Sequence, residues 1–295
     1  MLTQKQKEAL RLQGSCTWHD HWFVSIFAGE PRFKQGVLSY YDGRLVTLCG
    51  FPLRGEPAIE AAVIRELAEE WASDAEVQSI CYVGPQTMRL TRLRGFGFRK
   101  VAQQPPIGIS SELFLNCNGA PGSVFKKRIY RRSRSLGFKS TIRTGGIASA
   151  EHFRLIELFY RKREVSTYLA EIAFALPVLL RSRRVSLIEA RKNGALCGFI
   201  ALHKPFFDVA VGLFMARRQD MPGVCDFLYS AMLDESRELG ATSVNVGPSP
   251  TVGHYNFKKK WGGEPVIAPY YYVQWARGAL AQRTHTSWGP RMIRL

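Results

Sequence analysis

The stretch "NVGPSPTVGHYNFKKKWGGEP" (residues 245–265) ends a strand-like run, contains three consecutive lysines and closes on a tryptophan and two glycines. A weaker copy lies upstream. That copy, "YVGPQTMRLTRLRGFGFRK" (residues 82–100), again has Val-Gly-Pro, a basic middle and a glycine-aromatic close. A motif that occurs twice in one chain indicates an internal repeat.

The same order of predicted elements precedes each copy. In the first half a hairpin turns at Asp42-Gly43, a helix covers about 57–73, and the strand "VQSICYVG" follows. In the second half a hairpin turns at Asn193-Gly194, and the strand "FDVAVGLFMA", a helix and the strand "TSVNVG" follow. The sequence therefore predicts an α+β fold built from a duplicated unit.

A glycine- and proline-bearing segment at residues 116–123 marks the predicted boundary between the two copies. The predicted domains are 1–119 and 120–295, and the tail 277–295 can pack back on the first domain. Two similar domains placed side by side form a cleft, which is a favoured place for a ligand.

The positive charge of the chain is concentrated in its second half. The net charge is +17 over 295 residues. Residues 1–119 hold 13 Lys and Arg against 12 Asp and Glu, whereas residues 120–295 hold 28 against 12. Such a field attracts a polyanion, either nucleic acid or an anionic membrane surface. The alternative is a solvated surface that is merely rich in lysine and arginine.

Other features favour a cytoplasmic protein. The longest apolar run, residues 168–180, contains Glu171 and Pro177 and is too short to cross a bilayer. The polar N-terminus lacks a secretory signal. The six cysteines form no CxxC pair, and the His-x-His of "WHDHW" (residues 18–22) has no third ligand at a recognisable spacing, so we expect no metal site.

The second half opens with a segment predicted as a helix, "SVFKKRIYRRSRSLGFKSTIRTGG" (residues 123–146). From residue 126 to residue 143, here called the basic segment, it has eight basic residues and no acidic one. Such a helix supplies sequence-independent phosphate contacts, although a solvated helix face is the alternative. Its candidate phosphate contacts, which would bind tRNA if the donor is an aminoacyl-tRNA, are Lys126, Lys127, Arg128, Arg131, Arg132, Arg134 and Lys139, joined by Lys259 and Lys260.

The order of elements resembles the acetyltransferase-like GNAT fold. As a tandem pair it resembles the Fem family of aminoacyl-tRNA-dependent transferases. Three stretches carry the resemblance. The basic segment looks like the basic helix of that family, an arginine-rich run followed by a glycine and a strand. Residues 222–247, "PGVCDFLYSAMLDESRELGATSVNVG", are similar to the helix and strand shared with the catalytic domain of lysyl-phosphatidylglycerol synthases, and residues 255–265, "YNFKKKWGGEP", resemble the Phe-Lys and aromatic-Gly signature common to both groups. The resemblance implies two GNAT-like domains and an aminoacyltransferase that uses aminoacyl-tRNA as co-substrate and needs no cofactor.

The resemblance leaves the acceptor open between a peptidoglycan precursor and a peptide or antibiotic intermediate. Coenzyme A is disfavoured as donor, because the loop "RRQDMPGVC" (residues 217–225) puts Asp220 and Pro222 where that fold binds a pyrophosphate through backbone amides. Two alternatives remain: an acyl-CoA N-acyltransferase of the same fold, and a non-catalytic RNA-binding module.

The chemistry requires few residues, because the ester that joins an amino acid to tRNA is already activated. The site has to position two substrates and stabilise an oxyanion. Lys258 matches the family's Phe-Lys position and is the first candidate; the alternative is a surface lysine in a run of three. Asp226 and Tyr255 are the other catalytic candidates, Asp226 as a holder of an ammonium group. The remaining substrate-binding candidates, which can also have structural roles, are Asn245, His254 and Phe257.

Overall fold

The computed structural model describes residues 32–41, 43–50, 59–84, 93–102, 113–117, 128, 131–145, 147–161, 176–177, 179–206, 208–247, 249, 252–265 and 271–277. They divide into two compact units. The first unit holds the described residues up to Leu113, together with Gly247–Tyr255 and those from Pro265 onward. The second holds Phe114–Val246 and Asn256–Glu264.

Thirteen strands and four helices have bounds that the structure describes at both ends. The strands are β1 (Arg32–Lys34), β2 (Val37–Tyr41), β3 (Leu45–Cys49), β4 (Ser79–Gly84), β5 (Gly97–Ala102), β6 (Leu113–Asn116), β7 (Lys139–Thr144), β8 (Val185–Lys192), β9 (Ala195–Phe206), β10 (Val209–Arg217), β11 (Ser243–Asn245), β12 (Glu264–Pro265) and β13 (Tyr271–Ala276). The helices are α1 (Ala61–Ala72), α2 (Ala150–Arg161), α3 (Val224–Glu238) and α4 (Val252–Lys260).

The first unit is a six-stranded sheet in the order β1-β2-β3-β4-β13-β5. Strands β3 and β4 are parallel, and the other neighbours are antiparallel. Helix α1 buries Ile64, Leu67 and Ala68, which share one face at i, i+3 and i+4 spacing. Trp275 of β13 is fully buried in the same core. The hairpin formed by β2 and β3, helix α1 and strand β4 lie where the sequence predicts them.

The second unit is a seven-stranded sheet in the order β12-β6-β11-β10-β9-β8-β7. Only β10 and β11 are parallel neighbours among the pairs described there. Helices α2 and α3 pack against the sheet, each through contacts with β9 and β10. The predicted turn at Asn193-Gly194 is confirmed, since both residues have positive φ, as a tight hairpin turn requires.

The strands that end in the two Val-Gly-Pro copies occupy equivalent positions. Strand β4 has a parallel neighbour, β3, on one side and an antiparallel neighbour, β13, on the other. Strand β11 likewise lies between parallel β10 and antiparallel β6. The predicted repeat is therefore present in the fold. Strand β6, from the first half of the sequence, completes the second sheet, and β13, from the second half, completes the first.

One predicted element is wrong at its C-terminal end. The composition of residues 123–146 predicts one helix, but residues 131–134 are helical and Lys139–Thr144 form strand β7, the strand that the family resemblance implies after the arginine-rich run and glycine. Strand β7 contains three β-branched residues, Thr141, Ile142 and Thr144, which favour a strand, and it pairs with β8 along its whole length. All six of its residues are exposed at the end of the sheet.

Candidate functional site

The parallel pair β10 and β11 separates after only three residue pairs. Asn245, the last residue of β11, pairs with Val211. Strand β10 continues to Arg217 beside β9, with a register shift between Gly212 and Phe214. In the described part of the chain, no strand pairs with residues 212–217 on the β11 side. Residues 212–217 therefore extend past the point where the two strands part, and Asn245 is fully buried at that point.

The loop after β10 leads into the N-terminus of α3. Gly223 caps the helix with φ +81°, and a Cβ there would lie 2.2 Å from Cδ1 of Leu136. Arg218 donates two hydrogen bonds to the Asp220 carboxylate, from Nε at 3.1 Å and Nη2 at 2.7 Å. The Asp220 charge is therefore paired, which weakens the sequence argument that this carboxylate repels a pyrophosphate.

Asp226, in the first turn of α3, joins that helix to the end of α4. Its Oδ1 accepts a hydrogen bond from Trp261 Nε1 at 2.9 Å, and its carboxylate accepts from Lys260 Nζ at 3.2 and 3.3 Å. A carboxylate in this position is also stabilised by the helix dipole. The structure thus brings together two of the predicted residues, Asp226 and Lys260, and Asp226 already holds an ammonium group of the protein.

Aromatic packing fixes α4 on α3. Phe257 meets Tyr229 edge to face with ring centroids 4.8 Å apart, and Trp261 lies 5.8 Å from the same ring. The close of the motif, Trp261-Gly262-Gly263, is a Schellman cap: Gly263 N donates to Lys258 O, and Gly262 N donates to Lys259 O. Phe257 therefore has a packing role in addition to any contact with substrate.

The three consecutive lysines have different environments. Lys258 is 8% exposed, whereas the side chains of Lys259 and Lys260 are about a third exposed, at 35% and 34%. Lys259 pairs with Glu264 at 2.9 Å, and Lys260 pairs with Asp226. Burying an ammonium group is costly unless the protein stabilises it, so Lys258 is not an ordinary surface lysine.

His254 and Tyr255 lie in the N-terminal half of α4 and are partly exposed. Both belong to the first unit, whereas Asn245, Asp226 and Phe257 to Lys260 belong to the second. The catalytic role predicted for Tyr255 and the substrate-binding roles predicted for His254 and Asn245 stay predictions.

The basic segment divides into an exposed face and a packed face. Arg128, Arg131 and Arg132 have the i, i+3, i+4 spacing of one helix face and are exposed. Arg134 pairs instead with Asp234, and its guanidinium lies 5.7 Å from the Phe227 ring centre. Lys139 is exposed on β7, and Lys126 and Lys127 lie outside the described residues.

Two features of the structure were not predicted from the sequence. One is the basic turn "RSRR" (residues 181–184) before β8, whose three arginines are exposed; its composition was a signal that could have been used. The other is a buried cluster around Glu189, a fully buried side chain that accepts hydrogen bonds from Arg191 Nε at 2.7 Å and Thr141 Oγ1 at 3.0 Å. No local spacing in the sequence predicts this cluster, because its members come from β7, β8 and α2.

His152 completes that cluster. Its Nδ1 accepts from the backbone N–H of Ser149 at 3.0 Å, so the neutral ring carries its proton on Nε2. Nε2 lies 3.1 Å from Glu189 Oε1, but the N–H is poorly aligned with that oxygen. Burial lowers the pKa of His152, and attraction to Glu189 offsets part of that effect. Burial alone would raise the pKa of Glu189, but the hydrogen bonds from Arg191 and Thr141 outweigh it and lower the pKa.

No family model and no curated protein matches the sequence. Solved structures that are similar to it include a conserved protein from Bacteroides thetaiotaomicron, with 12% identity, a TM-score of 0.52 and coverage of 94% of this chain and 93% of that one. FemX has 10% identity and a TM-score of 0.51, over 93% of this chain and 96% of that one. L-PGS from Bacillus licheniformis has 16% identity and a TM-score of 0.47, over 96% and 93%.

The likeness to FemX and the two mixed sheets confirm the predicted fold, an α+β tandem pair of GNAT-like domains. Similarity at these identities shows the fold alone. Among the described residues, no helix is both long and apolar enough to span a bilayer. The same part of the chain contains no group of three or more His, Cys, Asp or Glu side chains arranged for a metal ion.

Proposed function

We propose that the protein is an aminoacyl-tRNA-dependent aminoacyltransferase of the cytoplasm that forms a peptide bond on an amine acceptor. The observation that carries the proposal is the burial of Lys258, which occupies the position implied by the Fem resemblance, while Lys259 and Lys260 stay partly exposed. The exposed arginines of the basic segment support a polyanionic donor.

In the proposed reaction the acceptor amine attacks the ester carbonyl of the aminoacyl-tRNA. A C–N bond forms, the ester C–O bond breaks, and the proton lost by the amine passes to the departing ribose oxygen. Lys258 stabilises the negative charge that appears on the carbonyl oxygen. Within a buried site one such donor contributes roughly 3 kcal/mol to the transition state. Asp226 is a positioning residue, because its bonds to Lys260 and Trp261 hold the end of α4 against α3.

Lys258→Met tests the proposal, because methionine fills most of the space of the buried side chain without its charge. We expect single-turnover aminoacyl transfer to slow by about 100-fold or more, while tRNA affinity changes little. Transfer is measured by incubating the protein with a pool of charged tRNAs and candidate acceptor amines and identifying which tRNA loses its amino acid.

Lys259→Met is the matched control, because Lys259 pairs with the exposed Glu264 and takes no part in the bonds of Asp226. If both variants lose affinity alike and keep the rate of the bound state, Lys258 is part of a basic surface and the mechanism is wrong. Persistent RNA affinity with no transfer from any charged tRNA would instead favour a non-catalytic RNA-binding module.

One observation favours a second candidate, an acyl-CoA-dependent N-acyltransferase. The pairing of Asp220 with Arg218 removes an uncompensated negative charge from the loop before α3, where that fold places a pyrophosphate. Coenzyme A would then raise the melting temperature of the protein, and charged tRNA would not.

A further inference from the structure

Ile147 lies in the connection between β7 and α2 and is 86% exposed. Large exposed hydrophobic side chains are few in the described part of the chain, and four of the five occur between residues 142 and 158. They are Ile142, Ile147, Phe153 and Leu158. An isoleucine that is almost wholly in water gains from any partner that covers it.

The connection that carries Ile147 is held in place by its neighbours. Ala148 is buried, and Ser149 caps α2 by donating its backbone N–H to His152 Nδ1 at 3.0 Å. His152 in turn is fixed in the buried cluster around Glu189. The packing of the residues that follow Ile147 therefore holds this side chain in its exposed position.

The arginines of the basic turn (residues 181–184) lie at the same end of the second sheet. Because Thr144 of β7 pairs with Ser186 of β8, the basic turn at 181–184 lies beside the start of this connection. A Cβ on Gly145 would lie 3.7 Å from Cγ of Arg183. Glu189 is paired with Arg191 at 2.7 Å, and Glu151 is paired with the same arginine at 2.8 Å, so both carboxylates already have cationic partners other than Arg181 and Arg183.

We propose that this end of the second unit, defined by Ile147, Arg181 and Arg183, docks on an anionic phospholipid bilayer. An anionic bilayer surface offers both an electrostatic attraction for arginines and an apolar boundary for an isoleucine. An RNA backbone would use the arginines only.

The proposal goes beyond the transfer reaction and can be tested without tRNA. The purified protein is mixed with vesicles of phosphatidylglycerol and phosphatidylcholine, or of phosphatidylcholine alone, and the bound fraction is measured by flotation. We expect binding to the anionic vesicles only. Ile147→Ser lowers the partition coefficient about tenfold, and Arg181→Ala with Arg183→Ala lowers it about fivefold for each arginine.

Val252→Ser is the matched control, because Val252 is 58% exposed but lies on α4. It should bind vesicles like the wild type. The proposal is overturned if the wild type does not bind anionic vesicles, or if Ile147→Ser binds them as well as the wild type does. When Ile147→Ser binds vesicles normally and the double arginine variant loses RNA affinity, the surface is an RNA contact and not a membrane contact.

Discussion

Gly223 determines how α3 begins, and its conformation leaves no room for a side chain. A residue with a Cβ is strained at φ +81°, and the added atom would meet Leu136. We expect Gly223→Ala to lower the free energy of unfolding by about 2–3 kcal/mol, measured by chemical denaturation. Because the added methyl group displaces the start of α3, the hydrogen bonds that Asp226 accepts from Lys260 and Trp261 should also weaken.

Gly240→Ala separates strain from steric overlap. Gly240 has nearly the same φ, +82°, but no atom lies within 4 Å of its added Cβ. Its substitution should cost only the strain, about 1 kcal/mol. If the two variants lower the free energy of unfolding equally, Leu136 moves aside freely and Gly223 has no special packing role.

The three consecutive lysines show how far the sequence predicts the site. The family resemblance selects Lys258, and its burial distinguishes it from its neighbours. The sequence does not reveal that Lys260 pairs with Asp226, because 34 residues separate them and the contact depends on how α4 packs against α3. Lys259 and Lys260, predicted as RNA contacts, each have a protein carboxylate as partner.

Elements β7, β8 and α2 are joined through Glu189 and His152, and both side chains have lowered pKa values. In the folded state each group therefore binds a proton at a lower pH than in the unfolded chain. Protonation then favours unfolding, so stability is lost as pH falls. We expect the free energy of unfolding to decline below about pH 6.5, where an unfolded histidine takes up its proton, and further below about pH 4.3, where an unfolded glutamate does.

His152→Gln isolates the histidine part of this pH dependence. Denaturation curves recorded from pH 8 to pH 5.5 should show a smaller slope for the variant than for the wild type, by up to about 1.4 kcal/mol per pH unit. A variant that kept the full slope would assign the pH dependence to other groups.

The same elements explain why the helix prediction for residues 123–146 fails. The count of basic residues says nothing about secondary structure, and the run "KSTIRT" has the β-branched residues of a strand. Pairing with β8, about 50 residues downstream, then determines the outcome.

Across the whole molecule, the positive charge makes RNA affinity dependent on salt. Replacing Arg128, Arg131 and Arg132 together by alanine should reduce the slope of log K against log salt by about 2–3 units, since each lost phosphate contact removes about 0.9 on a duplex and about 0.7 on a single strand. Binding of tRNA is measured between 50 and 200 mM salt, roughly the range over which such contacts change affinity strongly.

Arg134→Ala is the comparison, because that guanidinium is already paired with Asp234. The Arg134→Ala substitution should change the slope of log K against log salt by well under one unit. A triple variant with an unchanged slope would assign the exposed arginine face to solvent.

The fold as a whole was predictable because it repeats. Two Val-Gly-Pro copies, each after a hairpin, a helix and a strand, define the units. The strands that complete each sheet, β6 and β13, were not predictable, because short apolar runs such as "PYYYVQW" fit any sheet edge and sequence periodicity does not specify a partner.

The position of β13 also affects how the protein is made. Val273 pairs with Tyr82, about 190 residues earlier. At a synthesis rate of about 5–20 residues per second, β4 leaves the ribosome roughly 10–40 s before the strand that covers it. During that interval the nascent first unit lacks Trp275 in its core and has an open edge beside β4. Emergence of β13, rather than emergence of the first half of the sequence, is therefore the event that allows the first unit to complete its core.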